Sequence, residues 1–400
     1  MRYLLILTIV LSVALSALSA DWPQFRGPAG TGVVAEKGLN MDWTANPPKI
    51  LWSFDMGDNG YAGISIANGC AFFVDRKDKS DVVRCLDVKT SKEKWNYTYL
   101  EDIRDNYGFN RCTPTVNEQL VYIVSRSGAV ICLDVQNGEK KWERNLVADF
   151  NGIKPTWDFS MSVLIDGGNA IVCPGDKGGV VALDKLTGKT VWQGGSKDIA
   201  GYATPVVGKI NGEKQYIVFN GKAITSVSAK DGALLWSVNW GTSYDINAAS
   251  PIIIGDNKVF ITSGYGHGCA MIEVAKNIAT TKWENKNLIS RMSCPVYYNG
   301  YIYGIGESGN MTCIDPETGN AKWSQAGFGW GTVTVIGDVI LAVNANNGDL
   351  VMVKADSEKY TELNKLPVLA NSNNNWTHPS YSDGIFIMRS KKKLVALQLK

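Results

Sequence analysis

The chain has 400 residues, of which 45% are hydrophobic, with 40 Lys and Arg against 38 Asp and Glu. This length and hydrophobic content are sufficient for a large core. The balanced charge excludes the strongly basic surface that is typical of DNA- and RNA-binding proteins. A chain with only two histidines also cannot form a zinc site from three histidines.

The first twenty residues have the pattern of a secretory signal peptide. Arg2 precedes an apolar stretch at residues 4–18, and small residues follow it. This combination is typical of an export signal, and the stretch is too short for a membrane span. We therefore expect residues 1–20 to be cleaved and the mature protein to be periplasmic or secreted, with no membrane span. The first cysteine is Cys70, which argues against lipid attachment at a new N-terminal cysteine.

One segment recurs along the rest of the chain: a β-rich run, an acidic residue, a tight turn and a tryptophan. The copies read LDVKTSKEKW, LDVQNGEKKW, LDKLTGKTVW, VSAKDGALLW, IDPETGNAKW, the longer IEVAKNIATTKW and the degenerate VKADSEKY, which has Tyr360 in place of Trp. Successive tryptophans are 40 to 50 residues apart, which is the length of one four-stranded propeller blade. The tryptophans expected to dock between blades are Trp52, Trp95, Trp142, Trp192, Trp236, Trp283 and Trp323.

The two ends of the repeat determine the number of blades. The last copy stops at LVALQLK without a tryptophan strand, whereas ILWSF at residues 50–54 precedes the first complete blade. We expect strand 50–54 to join the C-terminal blade, which removes open sheet edges. The predicted fold is therefore all-β: a single eight-bladed propeller of four-stranded antiparallel blades at residues 50–400. We expect residues 21–49 to run as an extended arm over the propeller, with Trp22 and Phe25 as anchors.

Two recurring features indicate structural roles. Cys85, Cys132 and Cys313 occupy the slot that Ala182 and Ala396 fill in other copies, which indicates a small buried packing position. The pairing of the other five cysteines stays open. The acidic residues recur once per blade beside the turn and are expected to bind turn amides rather than to act in catalysis; they are Asp87, Asp134, Asp184 and Asp315.

Candidate ligand-binding residues come from the mouth of the central channel, where the innermost strand of each blade begins. Residues just before these strands are aromatic and polar, which suits planar or sugar-like ligands. The candidates are Tyr61, Asn106, Tyr107, Arg111, Trp157, Phe159, Tyr202, Asn247, Arg291, Trp330, Trp376 and His378. Such residues also cap turns and fill channels in propellers that bind nothing small, so both interpretations stay open. No catalytic residue and no metal ligand is predicted.

The repeats resemble the PQQ-binding-like β-propeller family, whose consensus is similar to A-x-D-x-x-T-G-x-x-x-W, over residues 50–400. The segment DWPQFRGP at residues 21–28 also resembles the W-P-x-[FW]-R-G-P opening of a group of exported bacterial propellers. Similarity to the BamB-like periplasmic scaffolds implies a non-catalytic assembly module. Similarity to the quinoprotein dehydrogenases implies pyrroloquinoline quinone (PQQ) over calcium, but their adjacent Cys-Cys pair and haem motif are absent from this sequence.

We therefore expect an exported, monomeric, non-enzymatic binding or scaffold protein with no cofactor. Its partners would be other envelope proteins or a small ligand, with no nucleic acid. The first alternative is a PQQ-dependent alcohol or sugar dehydrogenase with calcium. The second is a carbohydrate or small-metabolite binder at the channel mouth.

Overall fold

The computed structural model describes residues 21–400, and the predicted signal peptide at residues 1–20 lies outside the described residues. The described part is almost entirely β-structure, with two short 3-10 helices at Asp176–Gly178 and Ser243–Asp245. Within residues 21–400, no helix has the length and apolar character needed to cross a membrane.

The strands are short and follow one another at regular intervals. The first sixteen are β1 (Val33–Val34), β2 (Lys49–Asp55), β3 (Ser65–Ala67), β4 (Cys70–Lys77), β5 (Ser80–Asp87), β6 (Glu93–Leu100), β7 (Thr115–Asn117), β8 (Leu120–Val124), β9 (Ala129–Asp134), β10 (Lys140–Asn145), β11 (Leu164–Asp166), β12 (Asn169–Val172), β13 (Val180–Asp184), β14 (Thr190–Gly194), β15 (Val206–Ile210) and β16 (Glu213–Phe219). The others are β17 (Ala223–Ser228), β18 (Leu234–Asn239), β19 (Ile252–Ile254), β20 (Lys258–Ser263), β21 (Gly268–Ala275), β22 (Ile278–Asn285), β23 (Val296–Tyr298), β24 (Tyr301–Ile305), β25 (Met311–Ile314), β26 (Ala321–Gln325), β27 (Thr332–Ile336), β28 (Val339–Val343), β29 (Asp349–Lys354), β30 (Glu362–Pro367), β31 (Ser380–Ser382), β32 (Ile385–Arg389) and β33 (Lys393–Gln398).

These strands form eight sheets, one for each blade, which confirms the predicted eight-bladed propeller. Blades 1 to 6 are β3–β6, β7–β10, β11–β14, β15–β18, β19–β22 and β23–β26. Blade 7 is β27–β30 with β1 added in parallel to β27, and blade 8 is β31–β33 with β2. The innermost strands β3 and β31 are in contact, so blade 8 returns to blade 1 and the blades form a ring.

Blade 8 combines the two ends of the described chain. Strand β2 pairs antiparallel with β33, and Trp52 lies opposite Ala396. β2 supplies the outer strand that the C-terminal repeat lacks, at the position that the other blades fill with their own tryptophan strand.

The turns of blades 1 and 3 take the form that the repeat predicts. In blade 3, the Asp184 carboxylate accepts hydrogen bonds from the backbone N–H groups of Leu186 and Thr187, at 3.1 and 2.8 Å. Asp87 binds the equivalent amides of blade 1, and the hydrogen bonds that these two carboxylates accept lower their pKa values. The recurring acidic residue is therefore structural, as predicted.

The docking tryptophans join each blade to the next. The indole N–H of Trp142 in blade 2 donates to the Lys185 carbonyl in blade 3, at 3.0 Å. Its ring lies against Gly188, which has φ of +70°, and a Cβ there would be only 2.8 Å from the ring. Cys132 is the cross-strand neighbour of Trp142, which favours a small side chain in this slot. In blade 5 the same slot holds Met271, opposite Trp283.

Two docking tryptophans depart from this pattern. Trp236 in blade 4 donates to Oε1 of Gln215 in its own blade, at 3.1 Å, next to the blade 5 hairpin with its two extra turn residues. The buried indole N–H of Trp192 has no hydrogen-bond partner among the described residues. The ring of hydrogen-bonded tryptophans is thus interrupted on both sides of blade 4.

Blade 7 replaces its missing tryptophan in a way that the sequence did not predict. The sequence repeat aligns Tyr360 with the tryptophans. The strand register instead places Asn364 opposite Met352, at the position where the other blades have their tryptophan. The Asn364 carboxamide oxygen accepts the backbone N–H of Trp43 at 3.1 Å, and the Trp43 side chain is buried in the same core cluster as Met352. An arm residue therefore packs where blade 7 has no tryptophan of its own.

All eight cysteines are free thiols in buried positions. For Cys85, Cys132 and Cys313 this confirms the predicted packing role. For the other five, whose pairing the sequence left open, no disulfide forms in the described structure.

The first part of the N-terminal arm enters the channel, whereas Trp43 farther along the arm lies against the outer strand of blade 7. Trp22 is buried and exchanges two backbone hydrogen bonds of 2.8 Å with Ile66 on the innermost strand of blade 1. Pro23 accepts the Val116 N–H from blade 2, and the Arg26 guanidinium donates to the Pro295 carbonyl beside blade 6. Blades 2 and 6 are opposite each other in a ring of eight, so this part of the arm crosses the channel. We call residues 22–34 the plug.

Candidate binding site at the channel mouth

A cavity of about 510 Å³ opens at one mouth of the channel, and we call it the mouth pocket. The loops that precede the innermost strands supply its walls. Its lining residues are Phe25, Tyr61, Tyr107, Arg111, Trp157, Ser160, Ser162, Tyr202, Thr204, Ile246, Ala248, Tyr265, Arg291, Met292, Trp330, Asn374, Trp376 and His378.

One wall of the mouth pocket is a continuous run of aromatic rings. The rings of Tyr61 and Trp376 stack with centroids 4.7 Å apart and planes 25° apart. Trp376 in turn lies 5.3 Å from Trp330, with planes 30° apart. The wall therefore offers flat apolar surface to a ligand, which favours stacking.

Arg291 extends this wall but is already neutralised. Its guanidinium carbon lies 4.3 Å from the ring centroids of both Tyr265 and Trp330. Its Nε is 2.9 Å from the Glu307 carboxylate, which also accepts the backbone N–H groups of Tyr265 and Gly266 at 2.8 Å. These hydrogen bonds lower the pKa of Glu307 against the effect of its burial, so the carboxylate stays charged at neutral pH.

The opposite wall is built around Arg111, which holds two loops together. Its guanidinium donates to the backbone carbonyls of Trp157 and Asn106. The Trp157 backbone N–H donates to the Tyr202 hydroxyl at 3.2 Å, and the Tyr107 ring meets Trp157 edge-on at 5.7 Å. The indole N–H of Trp157 is buried without a hydrogen-bond partner among the described residues.

Three tyrosines at the mouth have an unusual backbone conformation. Tyr107, Tyr244 and Tyr265 have φ of 58°, 62° and 59°, a left-handed conformation that is costly for a bulky side chain. Tyr107 and Tyr265 line the mouth pocket, and Tyr244 packs edge-on against Tyr265 at 5.9 Å. Tyr107 and Tyr244 are 60% and 66% exposed. Strain that holds exposed rings around a pocket is typical of a binding site.

Below the aromatic walls, small polar side chains connect neighbouring blades. The Ser162 hydroxyl accepts the Thr113 N–H, and the Thr204 hydroxyl accepts the Ser162 N–H, both at 3.0 Å. Elsewhere around the channel, Nε2 of His378 accepts the Cys294 N–H at 3.1 Å. These hydrogen bonds hold the innermost strands in place.

The plug closes the bottom of the mouth pocket. The Phe25 ring lies edge-on to His378, with centroids 5.3 Å apart, and both residues line the cavity. The plug thus gives the pocket a floor at the point where the channel would otherwise continue.

Three titratable groups that line the pocket have pKa values well away from neutral pH. Burial raises the pKa of Tyr61 to about 12, and burial lowers that of Arg111 to about 10. Burial, followed by the nearby charge of Arg26, lowers the pKa of His378 to about 3. None of these three groups has a pKa near 7, where general acid–base catalysis is most efficient.

The structure brings most of the predicted site residues together. The predicted residues that line the mouth pocket are Tyr61, Tyr107, Arg111, Trp157, Tyr202, Arg291, Trp330, Trp376 and His378. Asn106 contributes a backbone carbonyl to Arg111. Asn247 is fully buried, where its amide group donates to the carbonyls of Asn220 and Trp240 at 2.8 and 3.1 Å.

The remaining predicted residue, Phe159, packs in the core of blades 1 to 4. Sequence reasoning missed Tyr265, because it lies inside a hairpin and not before an innermost strand. It also missed the role of Phe25 as the floor, because only the fold places the arm in the channel.

A quinone cofactor over calcium would need a set of oxygen ligands that these residues do not provide. Residues 21–400 contain no group of three His, Cys, Asp or Glu arranged to hold a metal ion. Two carboxylates near the pocket are already paired: Glu307 with Arg291, and Asp158 with Arg126 and Lys154. A third, Asp105, is hydrogen-bonded to Asn59 and to the Gly108 N–H. The aromatic wall would accept a flat ring, but the donor set does not fit a calcium–quinone pair, and no redox step is derived.

The geometry defines an eight-bladed propeller of tryptophan-docking repeats with one plugged, aromatic mouth. The family described as outer membrane protein assembly factor BamB matches residues 44–154 and 79–325. The chain belongs to this family, because the matched residues cover more than half of its length.

Individual relatives agree with this assignment. The outer membrane protein assembly factor BamB of Yersinia pestis is 23% identical over 368 residues, which cover 85% of this chain and 87% of the relative. Among solved structures, BamB from Moraxella catarrhalis has a TM-score of 0.64 and 16% identity, over 88% of this chain and 99% of its own. The quinohemoprotein alcohol dehydrogenase of Comamonas testosteroni has a TM-score of 0.69 and 13% identity, over 95% of this chain and 80% of its own. At these identities, the two structures show a shared fold.

Proposed function

We propose that this protein is a non-catalytic binding module of the cell envelope, with the mouth pocket as its binding site. It is exported by residues 1–20, and residues 21–49 serve as the arm of a single propeller at residues 50–400. The name of its family and the long alignment to the Yersinia pestis relative support a role in outer membrane protein assembly.

One observation carries the proposal: three tyrosines are held in left-handed conformations around a deep aromatic pocket. Tyrosine, tryptophan and arginine dominate binding hot spots, and all three occur here. The polar groups beneath them hold loops and strands together, so the exposed surface of the pocket is free for contact with a partner.

Site-specific photocrosslinking in the envelope tests this proposal. A photoreactive amino acid in place of Tyr107 or Tyr244, at the mouth, should give a discrete crosslinked product. The same amino acid in place of Leu186, an exposed turn residue on the outer rim, is the control. The proposal requires that the product disappear when Trp376→Ala is added. Equal crosslinking from the rim and the mouth would contradict a binding site at the mouth.

A thermal-shift titration with PQQ, with and without calcium, tests the dehydrogenase alternative. A ligand that binds only the folded state raises the melting temperature, and above the dissociation constant the rise grows with the logarithm of ligand concentration. A binding module without a quinone should show no calcium-dependent rise. A rise that follows PQQ concentration and requires calcium would overturn the non-catalytic proposal.

A further inference from the structure

The charges around the mouth pocket are not balanced. Arg291 is paired with Glu307, and the buried Arg126 is paired with Asp158. Arg111, by contrast, donates only to backbone carbonyls and forms no ion pair among residues 21–400. The pocket wall therefore has a positive charge in a partly buried setting, where it acts strongly.

Beneath the pocket, Arg26 of the plug adds a second charge of the same sign. It is 3% exposed, and its guanidinium donates to the Thr31 and Pro295 carbonyls rather than to a carboxylate. Its charge reaches the floor of the pocket, since it contributes to the lowered pKa of His378. Neither arginine forms an ion pair among residues 21–400, and Asp105, whose charge also reaches Tyr61, is held by Asn59 and the Gly108 N–H. The two guanidinium groups therefore favour an anion in the pocket.

Arg111 still has hydrogen-bonding capacity for a ligand. A guanidinium has five N–H donors in a planar fork, and Arg111 uses one from each of its two terminal nitrogens on the loop carbonyls. The planar fork matches the geometry of a carboxylate. Arg111 is close enough to Tyr61 to influence the hydroxyl, and Tyr61 begins the stacked aromatic wall.

We propose that the mouth pocket binds a small aromatic carboxylate, with its ring stacked on the wall of Tyr61, Trp376 and Trp330 and its carboxylate on Arg111. This inference rests on the proposed function, because it assigns a ligand class to the same site. The adjacency of a flat apolar wall and an unpaired guanidinium selects this chemistry over a neutral aromatic compound and over an aliphatic acid.

Isothermal titration of the whole mature protein with two matched probes tests the proposal. The probes are 2-naphthoate and 2-naphthalenemethanol, which share a ring system and differ in charge. Because hydrogen bonds between charged groups are stronger than those to a neutral hydroxyl, 2-naphthoate should bind about tenfold more tightly than 2-naphthalenemethanol. Arg111→Gln should remove that preference. Arg104→Gln removes the same charge from an exposed side chain of the same loop, and this variant should keep the preference.

The outcomes separate this inference from the proposed function. Equal affinity for the two probes, an equal effect of both Gln variants, or no binding of either probe to the wild-type protein would overturn the aromatic carboxylate. Crosslinking at Tyr107 that still depends on Trp376 would then leave the mouth as a binding site for another ligand. If Arg111→Gln fails to fold, Arg111→Lys supplies the comparison, because it keeps the charge and should retain a reduced preference.

Discussion

The outer rim and the channel mouth of this propeller use aromatic residues in opposite ways. At the rim, a tryptophan of one blade packs on the turn of the next, and Trp52, Trp95, Trp142, Trp283 and Trp323 all donate to a backbone carbonyl there. At the mouth, by contrast, the aromatic residues do not follow the repeat. Repetition at the rim serves stability, and variation at the mouth suits the proposed binding site.

Deleting residues 21–45 should have the largest effect on stability. It tests whether the plug and the rest of the arm stabilise the propeller, as the rim tryptophans do. The deletion removes the buried Trp22 and Trp43, and the loss of one such side chain costs about 3–5 kcal/mol. We expect a large fall in the melting temperature, measured by circular dichroism. An unchanged melting temperature would show that neither anchor is needed for stability.

At the rim, Trp142→Ala should reduce the free energy of unfolding by about 3–5 kcal/mol, since it leaves a cavity between blades 2 and 3. Urea denaturation measures the effect. Tyr107→Ala at the mouth is the matched control, because that ring is 60% exposed and its left-handed backbone is strained. A control that loses as much stability as the rim variant would erase the distinction between the two regions.

His378 should make stability depend on pH. Burial lowers its folded pKa to about 3, whereas an unfolded histidine has a pKa near 6.5. Below about pH 6.5 the unfolded chain takes up a proton that the folded protein does not. As the pH is lowered from about 6.5 to about 3, the free energy of unfolding therefore decreases by up to about 1.4 kcal/mol per pH unit. Between pH 7 and 5, His378→Gln should show a shallower loss in urea denaturation than the wild type. Burial also lowers the pKa of the half-buried His267, so His267→Gln is the comparison and should change the slope less than His378→Gln. Equal slopes for all three proteins would refute this role for His378.

The smallest expected effect separates two rim tryptophans. Trp142→Phe removes the indole donor to the Lys185 carbonyl, which keeps the Tyr122 hydroxyl as a second donor at 3.1 Å. The lost hydrogen bond should cost up to about 1 kcal/mol beyond the change in ring size. Trp192→Phe removes an N–H that has no partner, so this additional cost should be close to zero. Denaturation of the pair under one condition measures the difference, and equal losses would show that the Trp142 hydrogen bond adds nothing to docking.

The sequence predicted the blades because their signal is periodic. The small slot at Cys132 and the turn at Asp184 recur in register, so each copy supports the interpretation of the others. The tryptophan position of blade 7 was missed for the same reason: Trp43 comes from outside the repeat, and no periodic signal connects it to Asn364.

The mouth was predictable in part, because position along the blade indicates which loops converge. That rule found Arg111 and Trp376, but it also selected Asn247, whose side chain turns into the protein to bind loop carbonyls. Side-chain direction and backbone strain, as at Tyr265, depend on the folded loop. The location of a site could therefore be predicted, whereas its chemistry required the structure.

The pairing of β2 with β33 also constrains the order of folding. Its ladder joins Lys49 to Gln398, so blade 8 cannot be complete until nearly all of the described chain has emerged. Contacts between such distant residues form slowly, and partly folded chains expose strand edges that aggregate. Blades 1 to 6 each consist of consecutive strands and can form as the chain appears, and blade 7 adds the N-terminal β1 to its consecutive strands β27–β30. Closure of the ring is thus the natural last step, and the interval before it is when the chain most needs protection.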